Sequence, residues 1–245
     1  MNDTERPRLS VIIPAYNEEP RIGGTLEKII QYFSKAEYSV EVVVVDDGST
    51  DRTIATVEQK INRGLNLRIL RNERNLGKGA AVRHGMLETA GQVRLFFDAD
   101  GSTPIDQVEK VWTPLDQGAD ICLGSRTLPG SNIVVHQPWH RELMGRVFNL
   151  MVRLLAVGGF SDTQCGFKAF SARAAEIVFG RQQLNGFGFD VELLYIARKH
   201  GLRAAEVPVT WIDSPQSRVH PWRDARRMFF DLLRIRWHAL RGLYR

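Results

Sequence analysis

Two aspartates end an apolar run in the stretch LFFDADGSTP, residues 95–104. The run predicts a buried strand, and side chains two residues apart on extended backbone point to the same side, so Asp98 and Asp100 should lie together. Neighbouring carboxylates repel each other unless a positive charge lies between them. A Mg²⁺ or Mn²⁺ ion would supply that charge, because both ions prefer oxygen ligands. The alternative is a helix cap, but one aspartate would suffice for it, and Ser102 or Thr103 is better placed.

A second acidic pair, Asp46 and Asp47, follows the apolar run VVVV, and Gly48 then allows the backbone to turn sharply. In dinucleotide-binding folds an acid at an equivalent strand end accepts hydrogen bonds from ribose. The pair therefore predicts either a nucleoside site or a plain acidic turn between a strand and a helix.

Two further motifs could bind a phosphate or a metal ion. The stretch RNLGKGAAVRHG places Lys78 where it could face a diphosphate, although it lacks the GxxxxGK(S/T) spacing of a phosphate loop. His136 and His140 are four residues apart, which is a ligand spacing on a helix. Pro138 between them and the lack of a third ligand nearby argue against a metal site there.

Strands and helices alternate through the first half of the chain, which predicts an α/β fold with a doubly wound, mostly parallel sheet. The predicted strands are Leu9–Ile13, Val42–Val45, Leu67–Leu70, Val93–Phe97 and Ile121–Gly124. The predicted helices are Glu18–Phe33, Arg52–Ile61, Gly79–Thr89 and Ile105–Leu115, the second capped by Ser49 or Thr50 and the fourth begun by Pro104. The motifs PAYNEE, DDGST, RNLGKG, DADGST and GSR follow the five strands in turn. Ligands gather beyond the carboxyl ends of such strands, so the motifs predict a single site.

The second half is less regular. It predicts helices over Glu142–Val157, Ala172–Val178 and Phe189–Lys199, with the loop GGFSDTQCGFK between the first two. We divide the chain into a main domain, residues 1–215, and a basic helical extension, residues 216–245. The chain carries a net charge of +5, yet the segment Arg218–Arg245 alone has eight arginines, no lysine and two aspartates.

Composition limits where the protein works. Cys122 and Cys165 form no CxxC pair and no disulfide framework, which indicates a reducing compartment. The N-terminus lacks the apolar region of a signal peptide, and no segment approaches the ~20 apolar residues of a membrane span.

Taken together, PAYNEE, VVVVDDGSTDRT, RNLGKGAAVRHG and DADGSTP resemble the family 2 glycosyltransferases, which have the GT-A fold. In the second half, GSR, DTQCGFKAF and GFGFDVELLYIARKHG resemble the polyprenyl-phosphate hexosyltransferases of that family. These motifs most resemble those of the dolichyl-phosphate β-glucosyltransferases, and after them those of the dolichyl-phosphate mannose synthases. The resemblance runs from about Leu9 to the C-terminal region.

The resemblance implies a nucleotide-sugar donor, UDP-glucose or GDP-mannose, and a divalent metal ion, Mg²⁺ or Mn²⁺. The donor would contact Pro14, Tyr16, Glu18 and Asp47, with Lys78 nearby. Asp98 and Asp100 would bind the metal on the diphosphate, and Asp100 would be catalytic. Mannose synthases commonly have a glutamine where Ser102 stands, so the third metal ligand is open and mannose is disfavoured.

The resemblance also implies a polyprenyl phosphate as acceptor. Arg126 and Arg141 would clamp the acceptor phosphate, and Asp190 would orient donor or acceptor. Glu192 lies in the region where many members place a base, but a phosphate is already an anion at neutral pH and needs little deprotonation. Attack in line on an α-linked nucleotide sugar would invert the anomeric centre.

The same-fold alternative is transfer to a saccharide or small-molecule hydroxyl. The alternative from another class is a non-catalytic module that binds membrane or nucleic acid.

The C-terminal segment predicts an amphipathic helix that lies on a membrane. Its apolar side would hold Trp222, Met228, Phe229, Leu232, Leu233, Trp237 and Leu240, with arginines elsewhere. Such a helix would make the protein peripheral on the cytoplasmic face of the membrane. Nucleic acid is disfavoured as a partner, because an apolar stripe would make no favourable contact with phosphates. A third alternative is that the helix packs on the domain or on a sister subunit. The apolar spacing in MGRVFNLMVRLLAV predicts either a second membrane contact or a core helix.

Overall fold

In a computed structural model of the chain, the β-rich runs of the sequence form nine strands within the described residues. The structure describes residues 6–61, 63–135, 145, 149–153, 155–213 and 221–245, without the side chains of 221–225. In chain order the strands are β1 Leu9–Ala15, β2 Val40–Asp46, β3 Asn66–Arg71, β4 Val93–Phe97, β5 Ile121–Ser125, β6 Asn132–Val135, β7 Phe167–Ser171, β8 Ala204–Pro208 and β9 Thr210–Ile212.

Helices connect most of these strands. They are α1 Glu19–Phe33, α2 Thr53–Glu58, α3 Lys78–Leu87, α4 Glu109–Asp116 preceded by a 3₁₀ turn Ile105–Val108, α5 Ala172–Arg181, α6 Phe189–Lys199 and α7 Pro221–Leu240. Residues 145, 149–153 and 155 are also helical, inside the helix that the sequence predicts over Glu142–Val157. Among the described residues, no helix is both long and apolar enough to cross a bilayer.

Seven strands form one sheet in the order β3-β2-β1-β4-β7-β5-β8, and β6 pairs with β9 in a small parallel sheet. All pairs in the large sheet are parallel except those of β7, which runs antiparallel between β4 and β5. The parallel, doubly wound arrangement is confirmed, and β7 is the exception that makes the sheet mostly rather than wholly parallel.

Apolar side chains of the central strands are buried on both faces of the sheet, as VVVV predicts. Val42 and Val44 face the core that α1 and the 3₁₀ turn cover, whereas Val43 and Val45 face the core under α3, α5 and α6. Alternate side chains of a strand point to opposite faces, so a continuous apolar run is required when both faces are covered.

The turn after β2 differs from the prediction in its cap. Gly48 has φ of +74°, as a sharp turn there requires, and a side chain at this position would meet the backbone of Arg74. The prediction that Ser49 or Thr50 caps α2 is wrong. Both residues instead bond Asn17 of the loop after β1, which joins the two strand-end loops. The amide of Thr53 at the start of α2 donates to Asp51.

The C-terminal helix α7 contributes to the core. Met228, Leu232 and Ile235 are buried against the α5 and α6 side of the sheet, and Tyr244 beyond the helix is fully buried. The predicted boundary at residues 215 and 216 lies outside the described residues. The predicted apolar side divides in two, because Phe229, Leu233, Trp237 and Leu240 are exposed; the side chain of Trp222 lies outside the described residues.

Candidate active site

A cleft of about 1070 Å³ opens at the carboxyl ends of β1, β2 and β4. It brings together residues from four of the strand-end motifs and from the C-terminal helix. The predicted donor and metal residues that line it are Pro14, Tyr16, Glu18, Asp47, Lys78, Asp98 and Asp100. Four of the five strand-end motifs thus meet in one cleft, whereas GSR does not line it, and the role of each residue stays a prediction.

The Asp98 carboxylate is held by Lys78 from the start of α3. Lys78 Nζ lies 2.7 Å from Asp98 Oδ1, and the Asp98 amide donates to the carbonyl of Gly166 at 3.2 Å. A side chain at Gly166 would collide with the Asp98 carboxylate, so the sequence CGF requires glycine here. Burial raises the pKa of Asp98, and the neighbouring Asp100 adds to the rise against the opposing effect of Lys78.

Lys78 stays charged in these surroundings. Burial alone would lower the pKa of its ammonium, but the carboxylates of Asp98, Asp190 and Asp100 outweigh burial and raise it. The ammonium also lies 5.1 Å from the ring centre of Phe96. Lys78 is therefore a fixed positive charge at the centre of the cleft.

The Asp100 carboxylate faces a different cation. Arg21 NH1 lies 4.0 Å from Asp100 Oδ2, and the Ser102 amide donates to Asp100 Oδ1 at 2.9 Å. The same Arg21 forms a bidentate pair with Glu18, at 2.6 and 2.7 Å. The positive charges that the acidic pair needs are thus supplied within the chain by Lys78 and Arg21.

Asp98 and Asp100 fit a divalent cation that takes its other ligands from a substrate. Both carboxylates line the cleft and are about a quarter exposed, at 28% and 26% for their side chains. No group of three or more His, Cys, Asp or Glu within the described part of the chain could hold a metal by itself. Mg²⁺ and similar ions commonly take one or two carboxylates together with substrate phosphates and water.

Asp47 fastens the loop that carries Lys78. Its carboxylate accepts from Asn72 Nδ2 at 2.7 Å and from the amides of Leu76 and Gly77 at 3.0 and 2.8 Å. The side chain is almost fully buried. Asp47 therefore positions the loop as well as lining the cleft.

Arg126, at the end of β5, is bound to Asp162 of the DTQCG loop. Arg126 Nε and NH2 lie 2.6 and 3.0 Å from the two Asp162 oxygens, and the guanidinium stacks 5.4 Å from the ring centre of Trp211. Burial alone would raise the pKa of Asp162, but Arg126 and backbone amides lower it to about 2. Arg126 does not line the donor cleft, and Arg141, its predicted partner at the acceptor phosphate, lies outside the described residues together with His136 and His140.

Replacing Arg126 with methionine should reduce the loss of stability that Asp162 causes between pH ~4 and ~2. In the native chain the pKa of Asp162 is depressed from 3.8 to about 2, so its contribution is present above pH ~4 and is lost as the pH falls through ~2. Without the Arg126 guanidinium, burial opposes only the backbone amides, so the pKa of Asp162 is less depressed and the variant should lose less stability as the pH falls through this window. Urea unfolding from pH 5 to 2 measures this difference, and parallel stability curves would contradict it.

Asp190, at the start of α6, is paired with a fully buried lysine. Lys168 Nζ donates to Asp190 Oδ1 at 2.5 Å and to the carbonyl of Cys165 at 2.6 Å. The Asp190 carboxylate contributes to the raised pKa of Lys78, although Asp190 itself is buried and does not line the cleft.

Glu192 joins two parts of the fold through hydrogen bonds to its carboxylate. Its buried carboxylate accepts from the Leu184 amide at 2.8 Å and from the Tyr244 hydroxyl at 2.5 Å, and burial raises its pKa. It thus ties the loop before α6 to the C-terminal end of the chain.

The C-terminal helix forms a wall of the cleft that the sequence did not predict. The residues of α7 that line it are Arg226, Arg227, Met228, Phe230, Asp231, Arg234 and His238. Asp231 is held between Arg234, at 3.1 Å, and the backbone of Gly188 at the start of α6. The arginines of this segment are its signal in the sequence, but together with the apolar side they predict a membrane-bound helix instead of a cleft wall.

Comparison with known proteins identifies relatives along the whole chain. The sequence model described as glycosyl transferase family 2 matches residues 10–178. The chain is 34% identical to a dolichyl-phosphate beta-glucosyltransferase of Dictyostelium discoideum over 256 residues, which cover 100% of this chain and 78% of that protein. It is also 34% identical to the human protein of that name, over 99% of this chain and 79% of the relative.

Solved structures share the fold. Glucosyl-3-phosphoglycerate synthase from Mycobacterium tuberculosis, in complex with Mn²⁺, UDP and glucosyl-3-phosphoglycerate, matches with a TM-score of 0.68 and 22% identity, over 94% of this chain and 80% of that one. Mannosyl-3-phosphoglycerate synthase from Rubrobacter xylanophilus matches with a TM-score of 0.69 and 20% identity, over 96% and 74% of the two chains. At these identities the likeness establishes the fold alone, and the predicted GT-A arrangement is confirmed.

Proposed function

The chain belongs to glycosyl transferase family 2 and is a glycosyltransferase, and from this premise we propose that it transfers glucose from UDP-glucose to a polyprenyl phosphate. The observation that carries the proposal is a cleft in which Asp98, Asp100 and Lys78 converge beside an exposed apolar helix face. The choice of glucose and of a dolichyl-type lipid is supported by the names of the relatives that match almost the whole chain.

The donor lies with its diphosphate beside Lys78 and with its nucleoside toward Pro14, Tyr16 and Glu18. All four residues line the cleft at the strand ends. Asp98 and Asp100 hold the divalent ion, Mg²⁺ or Mn²⁺, that supplies Lewis-acid stabilisation of the diphosphate. Lys78 already pairs with Asp98, so a change of its side-chain conformation would bring the ammonium to the same phosphates.

The reaction exchanges one bond at the anomeric carbon for another. An oxygen of the lipid phosphate forms a bond to that carbon as its bond to the donor diphosphate breaks, and the bonding electrons leave with UDP. The acceptor is already an anion at neutral pH, so no strong base is required. In-line attack inverts the centre and gives a β-linked product from an α-linked donor. Asp190, which is fixed by Lys168 and acts on the charge of Lys78, orients the reacting groups.

The exposed face of α7 binds the membrane surface that carries the acceptor. Phe229, Leu233, Trp237 and Leu240 are between 36% and 87% exposed on this face. An apolar face with tryptophan and flanking arginines is typical of helices that lie in a membrane interface. Cys122 and Cys165 are free thiols, which supports a reducing compartment such as the cytoplasmic side.

A panel of donors and acceptors tests the proposal. The enzyme is incubated with Mn²⁺ or with EDTA, with UDP-glucose or GDP-mannose, and with farnesyl phosphate, phosphoglyceric acid or glucose. We expect hexosyl farnesyl phosphate from UDP-glucose with Mn²⁺, identified by product mass, and a β linkage by NMR. A product on phosphoglyceric acid or glucose but not on farnesyl phosphate would contradict the acceptor, and preference for GDP-mannose would contradict the donor.

A further inference from the structure

We propose that Arg226 and Arg227 of the C-terminal helix form a second phosphate-binding site, which receives the phosphate of the acceptor opposite the donor. The inference rests on the proposed function, because it assigns a position to the acceptor of that reaction. Neither arginine belongs to the motifs that carry the family resemblance, and both line the cleft.

Charge pairing within the cleft singles out these two side chains. Lys78 is paired with Asp98, Arg21 with Glu18, and Arg234 with Asp231. Among the described side chains, Arg226 and Arg227 are the cleft-lining arginines without an ion pair within 4.0 Å, although the charge of Arg227 acts on the Asp231 carboxylate. Both side chains line the same cleft, so a phosphate that enters it can accept charge-assisted hydrogen bonds from a guanidinium group.

The helix that carries these arginines is fixed against the cleft from its buried side. Met228, Leu232 and Ile235 pack into the core, and Asp231 faces the backbone of Gly188. Beyond the helix, the Tyr244 hydroxyl donates to buried Glu192, whose carboxylate also accepts from the loop before α6. The arginines are therefore held at a defined distance from the donor residues, as a substrate-binding group requires.

The surroundings of the pair suit an amphiphilic phosphate better than a free one. Phe230 lines the same cleft and is 53% exposed, so it connects the cationic wall with the exposed apolar face. A phosphate at Arg226 and Arg227 would leave its prenyl chain against Phe230 and allow it to continue toward the face that holds Leu233 and Trp237. The donor diphosphate already has Lys78 and the acidic pair on the opposite wall.

The test compares single glutamine variants of equal charge change. Arg226→Gln and Arg227→Gln remove cleft cations, whereas Arg236→Gln removes an exposed cation of the same helix that does not line the cleft. Farnesyl phosphate in solution without vesicles serves as the acceptor, which removes attraction to a membrane. We measure KM for UDP-glucose and for farnesyl phosphate, and the Kd of farnesyl phosphate for enzyme saturated with UDP and Mn²⁺. Thermal unfolding verifies folding of each variant.

We expect Arg226→Gln and Arg227→Gln each to raise KM and Kd for farnesyl phosphate about ten-fold, the loss of one charge-assisted contact, and to change KM for UDP-glucose less than two-fold. Arg236→Gln should change neither value. A rise in KM for UDP-glucose instead would assign the pair to the donor diphosphate, and unchanged values would also overturn the proposal. If farnesyl phosphate binds through these arginines but receives no sugar, the proposed function fails while this inference stands.

Discussion

Replacing Asp100 with alanine is expected to lower the rate of transfer by about three orders of magnitude or more while the protein stays folded. Asp100 supplies one of two carboxylates in the cleft that fit a divalent ion, and stabilisation of a leaving diphosphate by such an ion amounts to several kcal/mol. Folding should persist because the Asp100 side chain is partly exposed and Arg21 keeps its bidentate pair with Glu18.

Two measurements separate this effect from general damage. Mn²⁺ bound in the presence of UDP, followed by electron paramagnetic resonance, should be lost in Asp100→Ala together with activity. Asp106→Ala removes an exposed carboxylate outside the cleft and should leave both unchanged. Metal-dependent turnover at the native rate in Asp100→Ala would refute the assignment.

The first half of the fold could be predicted because each of its strands is a short apolar run followed by polar residues. β4 was predicted with its observed bounds, and β1, β2, β3 and β5 with ends one or two residues short. Helix α2 proved shorter than predicted and ends at Glu58. Strand ends are set by sheet hydrogen bonds with neighbours, which a single sequence does not specify.

The strand β7 was missed because of a charged residue inside it. Phe167–Ser171 is short, and Lys168 interrupts its apolar pattern, so no strand is predicted there and the predicted loop GGFSDTQCGFK extends into its first two residues. Lys168 is tolerated at a fully buried position because Asp190, 22 residues later, pairs with it. Such a pair is visible only when the two elements meet in space, and the same is true of Lys78 with Asp98.

The neighbours of the C-terminal helix α7 could not be predicted from the sequence either. Its arginines and apolar residues predicted one amphipathic face, yet α7 has a buried face at Met228 and Leu232, an exposed apolar face at Phe229 and Leu233, and a cationic face in the cleft. Helical spacing divides residues among faces, but the neighbour that each face meets depends on how the chain returns to the domain.

Replacing Lys168 with methionine should destabilise the protein by about 3–5 kcal/mol, the usual cost of leaving one member of a buried ion pair without its partner. Asp190 is 4% exposed, and its Oδ1 receives the Lys168 ammonium at 2.5 Å. The substitution also removes the donor to the Cys165 carbonyl. Urea unfolding at pH 7 measures the loss. A destabilisation below about 1 kcal/mol would mean that Asp190 finds another partner or becomes protonated without cost.

The double variant Lys168→Met with Asp190→Leu then separates stability from chemistry. Replacing a whole buried ion pair with apolar residues of similar volume is often neutral for folding, so the double variant should regain most of the lost stability. Under the proposed function, transfer should nevertheless stay at least about a hundred-fold below the native rate, because the variant lacks the carboxylate that we propose orients the reacting groups. Regained stability together with native transfer would mean that Asp190 only neutralises Lys168. Regained stability without transfer would mean that the buried lysine holds a carboxylate which the reaction itself requires.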